Sequence, residues 1–158
     1  MTVYATRRTI GRMTKAMNTP LAMNAPLDAA RALVPVLAAR EAATLAARLV
    51  PEETIADYQR AGLLRVLQPR RFGGYQMDFG VFSRIVETLA GGCASSAWVY
   101  AVLGEHQWII ACMPERAQDD VWGGDGTALA ASSLAPRETA RRETGRMLLG
   151  LPPAAGEA

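Results

Sequence analysis

Residues 78–112 read DFGVFSRIVETLAGGCASSAWVYAVLGEHQWIIAC, and this stretch decides the fold. Asp78 has the short acceptor side chain that opens a helix, and Phe79, Phe82, Ile85, Val86 and Leu89 then fall on one face at helical spacing. Gly91-Gly92 stops that helix. A second helix follows at once, over roughly Ala94 to Cys112, and it is apolar nearly all round. A helix without a polar face belongs at the centre of a domain. Its length, about 19 residues, almost suffices to cross a membrane. Glu105, His106 and Gln107 sit together inside it, however, and each is costly in lipid, so no membrane span is expected.

Working toward the N-terminus, LLRVLQPRRFGGYQMD over residues 63–78 is a connector punctuated by Pro69 and the Gly73-Gly74 turn. Before it, PEETIADYQRA forms a short helix with Pro51 at its start, Glu52 and Glu53 beside the positive dipole end, and Gly62 as a left-handed stop. Residues 27–50 are dominated by good helix formers. Asp28 is placed to cap them, Leu33, Leu37, Leu45 and Leu49 recur near helical spacing, and Pro35 is expected to kink the helix or limit its first turn. The first 26 residues carry Arg7, Arg8, Arg12 and Lys15 with no acid. That composition suits an organellar transit peptide, a disordered tail, or a start placed ahead of Met23.

Toward the C-terminus, Pro114 opens a fifth helix, PERAQDDVW, closed by Gly123-Gly124. Strand-like pieces follow around Ser132 and Ser133, and LPPAAGEA ends the chain as a loose segment. The expected architecture is mainly α: a tail over 1–26, a helical domain over 27–124, the beginning of a β domain over 125–150, and a loose end over 151–158.

Composition excludes several functions. A length of 158 residues, half of them hydrophobic and a fifth charged, makes one soluble globular domain. A net charge of +2 is too small for a nucleic-acid binder. Cys93 and Cys112 cannot form a disulfide framework, which favours a reducing, cytoplasmic setting. A single histidine rules out a multi-histidine metal site. No Gly-x-Ser-x-Gly elbow is present, and none of the glycine pairs follows a strand in a βαβ unit, so neither a serine hydrolase nor a dinucleotide fingerprint is indicated.

His106 is the first chemical candidate. It shares a helical stripe with Ser95, Val99, Val102 and Ile109. Periodicity alone describes a buried histidine satisfied by a neighbouring hydroxyl or carbonyl. Ser132 and Ser133, by themselves, are strand residues whose hydroxyls bond to backbone. Trp98, Tyr100, Trp108 and Trp122 are expected in the core rather than stacked on a ligand ring. Arg70 and Arg71 suit a solvated turn better than a phosphate site, and Cys93 is a small packed residue at a helix start.

Over residues 28–135 the chain resembles the N-terminal helical domain of the acyl-CoA dehydrogenase superfamily. The resemblance rests on GLLRVLQP at 62–69, Phe72-Gly73-Gly74, GCASSAWV at 92–99, His106 with Trp108, Pro114-Glu115, Val121-Trp122-Gly123 and Ala131-Ser132-Ser133 with Pro136. Within the superfamily it most resembles the oxygenase component of two-component flavin-dependent monooxygenases that hydroxylate phenols. That likeness implies the first strands of an incomplete β-barrel after the helices. It implies reduced FMN or FAD delivered by a separate reductase, an aromatic substrate, and a homotetrameric family. It also implies a histidine at the position of His106 facing the phenolic oxygen, and a serine of the Ser132-Ser133 pair beside the flavin ring. The family's Trp-x-Phe-x-Ser-Gly strand and C-terminal bundle have no counterpart here, so a truncated chain is expected, with weak or absent flavin binding and no turnover of its own. Two other readings stay open: an acyl-CoA dehydrogenase proper, using FAD, and a non-catalytic helical interaction module. Glu105 is a poor candidate for the dehydrogenase carboxylate, which comes from the family's C-terminal part.

Overall fold

Five α-helices precede a short antiparallel hairpin in the computed structural model, which describes residues 24–131, 139–143 and 146–150. Helix α1 (Ala25–Ala47) is unbroken through Pro35. It starts ahead of Asp28, because Pro26 fills the first turn, where its missing N–H is no loss, and Asn24 takes the cap position. Asp28 instead accepts a hydrogen bond from Arg31 at 2.8 Å, one turn on. The expected leucine stripe is half wrong. Ala30, Leu37 and Thr44, spaced by two turns, are buried, whereas Leu45 and Leu49 lie off that line and face outward.

Helix α2 (Glu52–Arg60) begins after Pro51 and stops before Gly62, whose φ of 70° is the left-handed value expected of it. Asp57 on α2 accepts from Arg40 on α1 at 2.6 Å and also from Arg60, tying the two helices together. The connector then folds back on itself. After two 3-10 turns (Leu63–Arg65 and Arg70–Phe72) the chain returns to the end of the first, the Tyr75 N–H donating to the Arg65 carbonyl and the Met77 N–H to the Val66 carbonyl, each 2.8 Å. Helix α3 (Phe79–Ala90) is capped as expected by Asp78, whose carboxylate accepts from the Gly80 N–H at 2.7 Å.

Helix α4 (Ala94–Ala111) packs on α3, α1 and α2. The α3–α4 approach is close at Gly104, where a Cβ would stand 2.3 Å from the Phe82 ring. Two tyrosines anchor the core: Tyr100 of α4 donates to the Leu63 carbonyl, and Tyr58 of α2 donates to the Ser96 carbonyl, both at 3.1 Å. Rings in edge or tilted contact run from Tyr58 through Tyr100, Phe82 and Phe79 to Trp108. Helix α5 (Glu115–Trp122) closes a second small cluster of Ile110, Trp122 and Ala130.

The central placement expected of α4 holds for one side only. Ser96, Ala97, Tyr100, Gly104, Gln107 and Ile110 are buried. The opposite arc carries Ala94, Trp98, Glu105, Trp108 and Cys112, all exposed. An apolar helix is therefore covered on one side, while on the other its exposed arc carries the Trp108 ring against Phe79.

The hairpin pairs β1 (Thr139–Glu143) with β2 (Arg146–Gly150), Thr139 opposite Gly150 and Glu143 opposite Arg146. Among the described residues no helix is long and apolar enough to cross a membrane. The readings made for residues 1–23, for Ser132, Ser133 and Pro136, and for residues 151–158 lie outside the described residues; from residue 25 the chain is already helical.

Candidate functional site

The candidate site is built on the seam of α4 between its buried and open arcs. Ser95, Val99, Val102 and Ile109 are all half-buried, and His106 shares their stripe. Only 6 % of His106 is exposed. Its Nδ1 lies 2.6 Å from the Val102 carbonyl oxygen, one helical turn earlier. A histidine bonded to a carbonyl was the outcome periodicity favoured, and the seam position adds an open apolar surface directly alongside it.

That surface corrects the expectation for two aromatic residues. Trp98 is 71 % exposed and Trp108 47 %, so neither is a core residue, whereas Tyr100 and Trp122 are buried as expected. The difference is one of direction: Tyr100 lies on the arc of α4 that meets α3, and Trp98 and Trp108 lie on the exposed arc. Phe79 at the head of α3, also part-exposed, supports Trp108 at 5.7 Å between ring centroids. The open face is aromatic and apolar, with Glu105 its one charge between Trp98 and Trp108.

Three buried glutamines, which sequence reasoning missed, fasten the turns on either side of α5. Gln68 donates to the Gly126 carbonyl at 2.8 Å, and Gln107, next to His106, donates to the Ala128 carbonyl at 3.4 Å. Gln118 donates to the Ala111 and Met113 carbonyls at 2.9 and 2.7 Å, and accepts from Arg71. These amides replace water for backbone groups that burial would otherwise strand. The segment immediately before Ser132 is thus held against the His106 turn of α4, through Gln107 and through Ala130 beside Ile110. Ser132 and Ser133 themselves lie outside the described residues.

Arg71 is not a free anion receptor: it faces Asp119 at 3.6 Å and Glu115 at 3.8 Å, and its guanidinium lies 4.4 Å from the centre of the Phe72 ring. Arg71, Phe72, Asp119 and Trp122 line an open cleft of about 600 Å³ with the glycine-rich turn at 123–126, and His106 is not among its lining residues. Cys93, packed and 1 % exposed, and Cys112, exposed, are free thiols. No group of three or more histidine, cysteine, aspartate or glutamate side chains that would hold a metal occurs among the described residues.

A helical unit with this order of elements is matched, over residues 25–122, by the family model described as acyl-CoA dehydrogenase, N-terminal domain. The chain belongs to the acyl-CoA dehydrogenase family. Similar members include the flavin-dependent monooxygenase oxygenase subunit HsaA of Rhodococcus jostii (strain RHA1), 39 % identical over 105 residues, covering 66 % of this chain and 28 % of that protein. The oxygenase component of p-hydroxyphenylacetate 3-hydroxylase from Acinetobacter baumannii is 36 % identical over 110 residues, or 70 % of this chain and 26 % of that one. The crystal structure of 3-HSA hydroxylase from Rhodococcus sp. RHA1 superimposes with a TM-score of 0.73 at 32 % identity, covering 81 % of this chain and 34 % of that chain. The chain thus spans about a quarter of the length of the curated family members it matches. Both curated relatives are oxygenase components.

Proposed function

We propose that the chain is the N-terminal helical part of the oxygenase component of a two-component, flavin-dependent monooxygenase acting on a phenolic ring. The observation that carries the reading is the seam of α4: one buried imidazole at the edge of an open aromatic face. An imidazole beside a surface shaped for flat apolar rings suits a phenol whose hydroxyl must give up its proton.

The residues present fit a planar cofactor. Trp98 and Trp108 offer ring faces on the open arc, and their exposure leaves them available for stacking. When bound, reduced flavin supplies the electrons that activate oxygen for transfer of one oxygen atom to the ring. His106 binds the phenolic hydroxyl and takes its proton, which makes the ring electron-rich at the position ortho to the oxygen. Ser132 and Ser133 contribute hydroxyls near the flavin edge. The apolar face of α4 excludes water from the reacting groups once it is covered.

In this reading residues 125–150 begin the middle β domain, and the 139–150 hairpin is part of an incomplete barrel. Reduced FMN or FAD comes from a separate reductase, the complete assembly is a homotetramer, and the two free thiols suit a reducing cytoplasm. The oxygenase relatives weigh against acyl-CoA oxidation.

The test is an anaerobic titration of the chain with reduced FMN and with reduced FAD, followed by oxygen and a phenol. Weak saturable binding that is lost in Trp98→Ala, without hydroxylation, is the expected result. A folded chain that binds neither flavin would leave the family assignment in place and overturn a flavin-binding role for the open face of α4. Substrate-dependent hydroxylation by the chain alone would show that residues 1–158 hold a complete site.

A further inference from the structure

We propose that the open arc of α4 is a self-complementary seam, and that its partner is a second copy of this chain, packed antiparallel across a two-fold axis near Leu103. The inference stands apart from the flavin reading, since a flat ring and a second copy would compete for the same arc.

The spacing carries the argument. Ala94, Trp98, Ala101, Glu105, Trp108 and Cys112 follow one another at intervals of 4, 3, 4, 3 and 4 residues. That alternation is the stripe along which two helices pack side by side. Ala101, near the middle, is half-buried, and the others are exposed. The intervals also read the same in both directions about position 103. Turning one copy end for end on the other therefore lays Ala94 opposite the partner's Cys112. It lays Trp98 opposite the partner's Trp108, and Ala101 opposite the partner's Glu105. A two-fold contact needs such a surface, because each pairing in it occurs twice.

Charge fixes the direction. Helix α4 carries no lysine or arginine, and Glu105 is its one acid. Parallel packing would set Glu105 against the partner's Glu105 within the seam, with no cation on either helix to offset them. Antiparallel packing sets each carboxylate against an alanine methyl, about 6 Å along the axis from its counterpart. It also brings the positive end of each helix dipole beside the negative end of the other. Size sets the strength. Trp98, Trp108 and Phe79 together expose roughly 400 Å². That is about half of what one partner of a stable complex buries, so the dimer is weak and forms as concentration rises.

Sedimentation of the full chain up to millimolar concentration is the first test, and a reversible monomer–dimer equilibrium that goes no further is expected. A monomer throughout, or open-ended aggregation, overturns the proposal, because a two-fold contact closes on itself. Cross-linking then reads the register. Ala94 is exposed at the head of α4 and Cys112 is a free, exposed thiol, so Ala94→Cys sets two thiols opposite each other in the dimer. Mild oxidation of that variant is expected to give a covalent dimer, with position 94 of one copy joined to Cys112 of the other. The parent chain is expected to give several-fold less, since its two Cys112 thiols lie at opposite ends of the seam, roughly 27 Å apart. Cross-linking of the parent through Cys112 as fast as the variant overturns the antiparallel register. Ala94→Cys/Trp98→Lys separates docking from chance collision: the bridge is expected to be lost with the helical spectrum kept, and an undiminished yield overturns the seam.

Discussion

At the scale of single residues, the buried tyrosines set a measurable limit on alkaline stability. Burial is the main reason that the hydroxyls of Tyr58 and Tyr100 are pushed well above their ordinary value of 10.0. An unfolded chain loses these protons first, so folding stability is intact below about pH 10 and falls as the pH rises past it. The Tyr58→Phe/Tyr100→Phe double variant is expected to flatten that alkaline decline in a series of thermal melts. At neutral pH, Tyr100→Phe alone removes the bond to the Leu63 carbonyl and is expected to cost about 1 kcal/mol, or roughly 4–8 °C in a helical unit of this size. A melting point unchanged in Tyr100→Phe would mean that water or a shifted neighbour already serves that carbonyl.

Between elements, two contacts lend themselves to direct tests. The Arg40–Asp57–Arg60 group ties α1 to α2, and the hydrogen bond from Arg40 is the chief cause holding the Asp57 carboxylate below its ordinary value of 3.8. Such a group stabilises the fold fully above that value and loses its contribution as the pH falls below it. Asp57→Asn is expected to cost about 1 kcal/mol at neutral pH, discounted for the part-exposed arginines, and to blunt acid unfolding followed by circular dichroism. Gly104→Ala presses a methyl into the Phe82 ring, and about 1–3 kcal/mol is expected from the overpacking of α3 on α4. If Phe82 can swing aside, the melt of Gly104→Ala will match that of the parent.

The same element scale shows what was readable beforehand. Helices α2, α3 and α5 were legible because Pro51, Asp78, Pro114 and the glycines act locally, through bonds and dihedrals within a few residues. The start of α1 was misplaced because Asp28 looks like a cap only if the Pro26 turn before it is ignored. Leu45 and Leu49 misled because a leucine marks hydrophobicity, not direction; the buried line used the smaller Ala30 and Thr44 instead. His106 was legible as a buried, carbonyl-bonded ring, but its seam position depends on which arc of α4 the neighbouring helices cover. The glutamine clamps were illegible for another reason: Gln68 meets its carbonyl 58 positions away, and nothing local announces that pairing.

At the scale of the whole molecule, the dominant feature is the open arc of α4. Trp98, Trp108 and Phe79 place an apolar surface in contact with solvent, which ordinarily marks a site of association. The chain is expected to bind a hydrophobic dye and to self-associate as its concentration rises. Trp98→Lys/Trp108→Lys is expected to lower dye fluorescence by roughly half and to shift sedimentation toward the monomer, with the helical spectrum preserved. Dye binding unchanged in that variant would place the apolar surface elsewhere.

The three tryptophans also divide the chain's ultraviolet emission by location. Trp122 is buried, and its indole N–H has no acceptor among the described residues, which favours short-wavelength emission. Trp98 and Trp108 face water and emit further to the red. A yellow, ring-shaped ligand settling on α4 would darken the red edge first and leave the blue edge bright, whereas one entering the cleft beside Trp122 would do the reverse. The colour of the light that disappears would report where the ligand has landed.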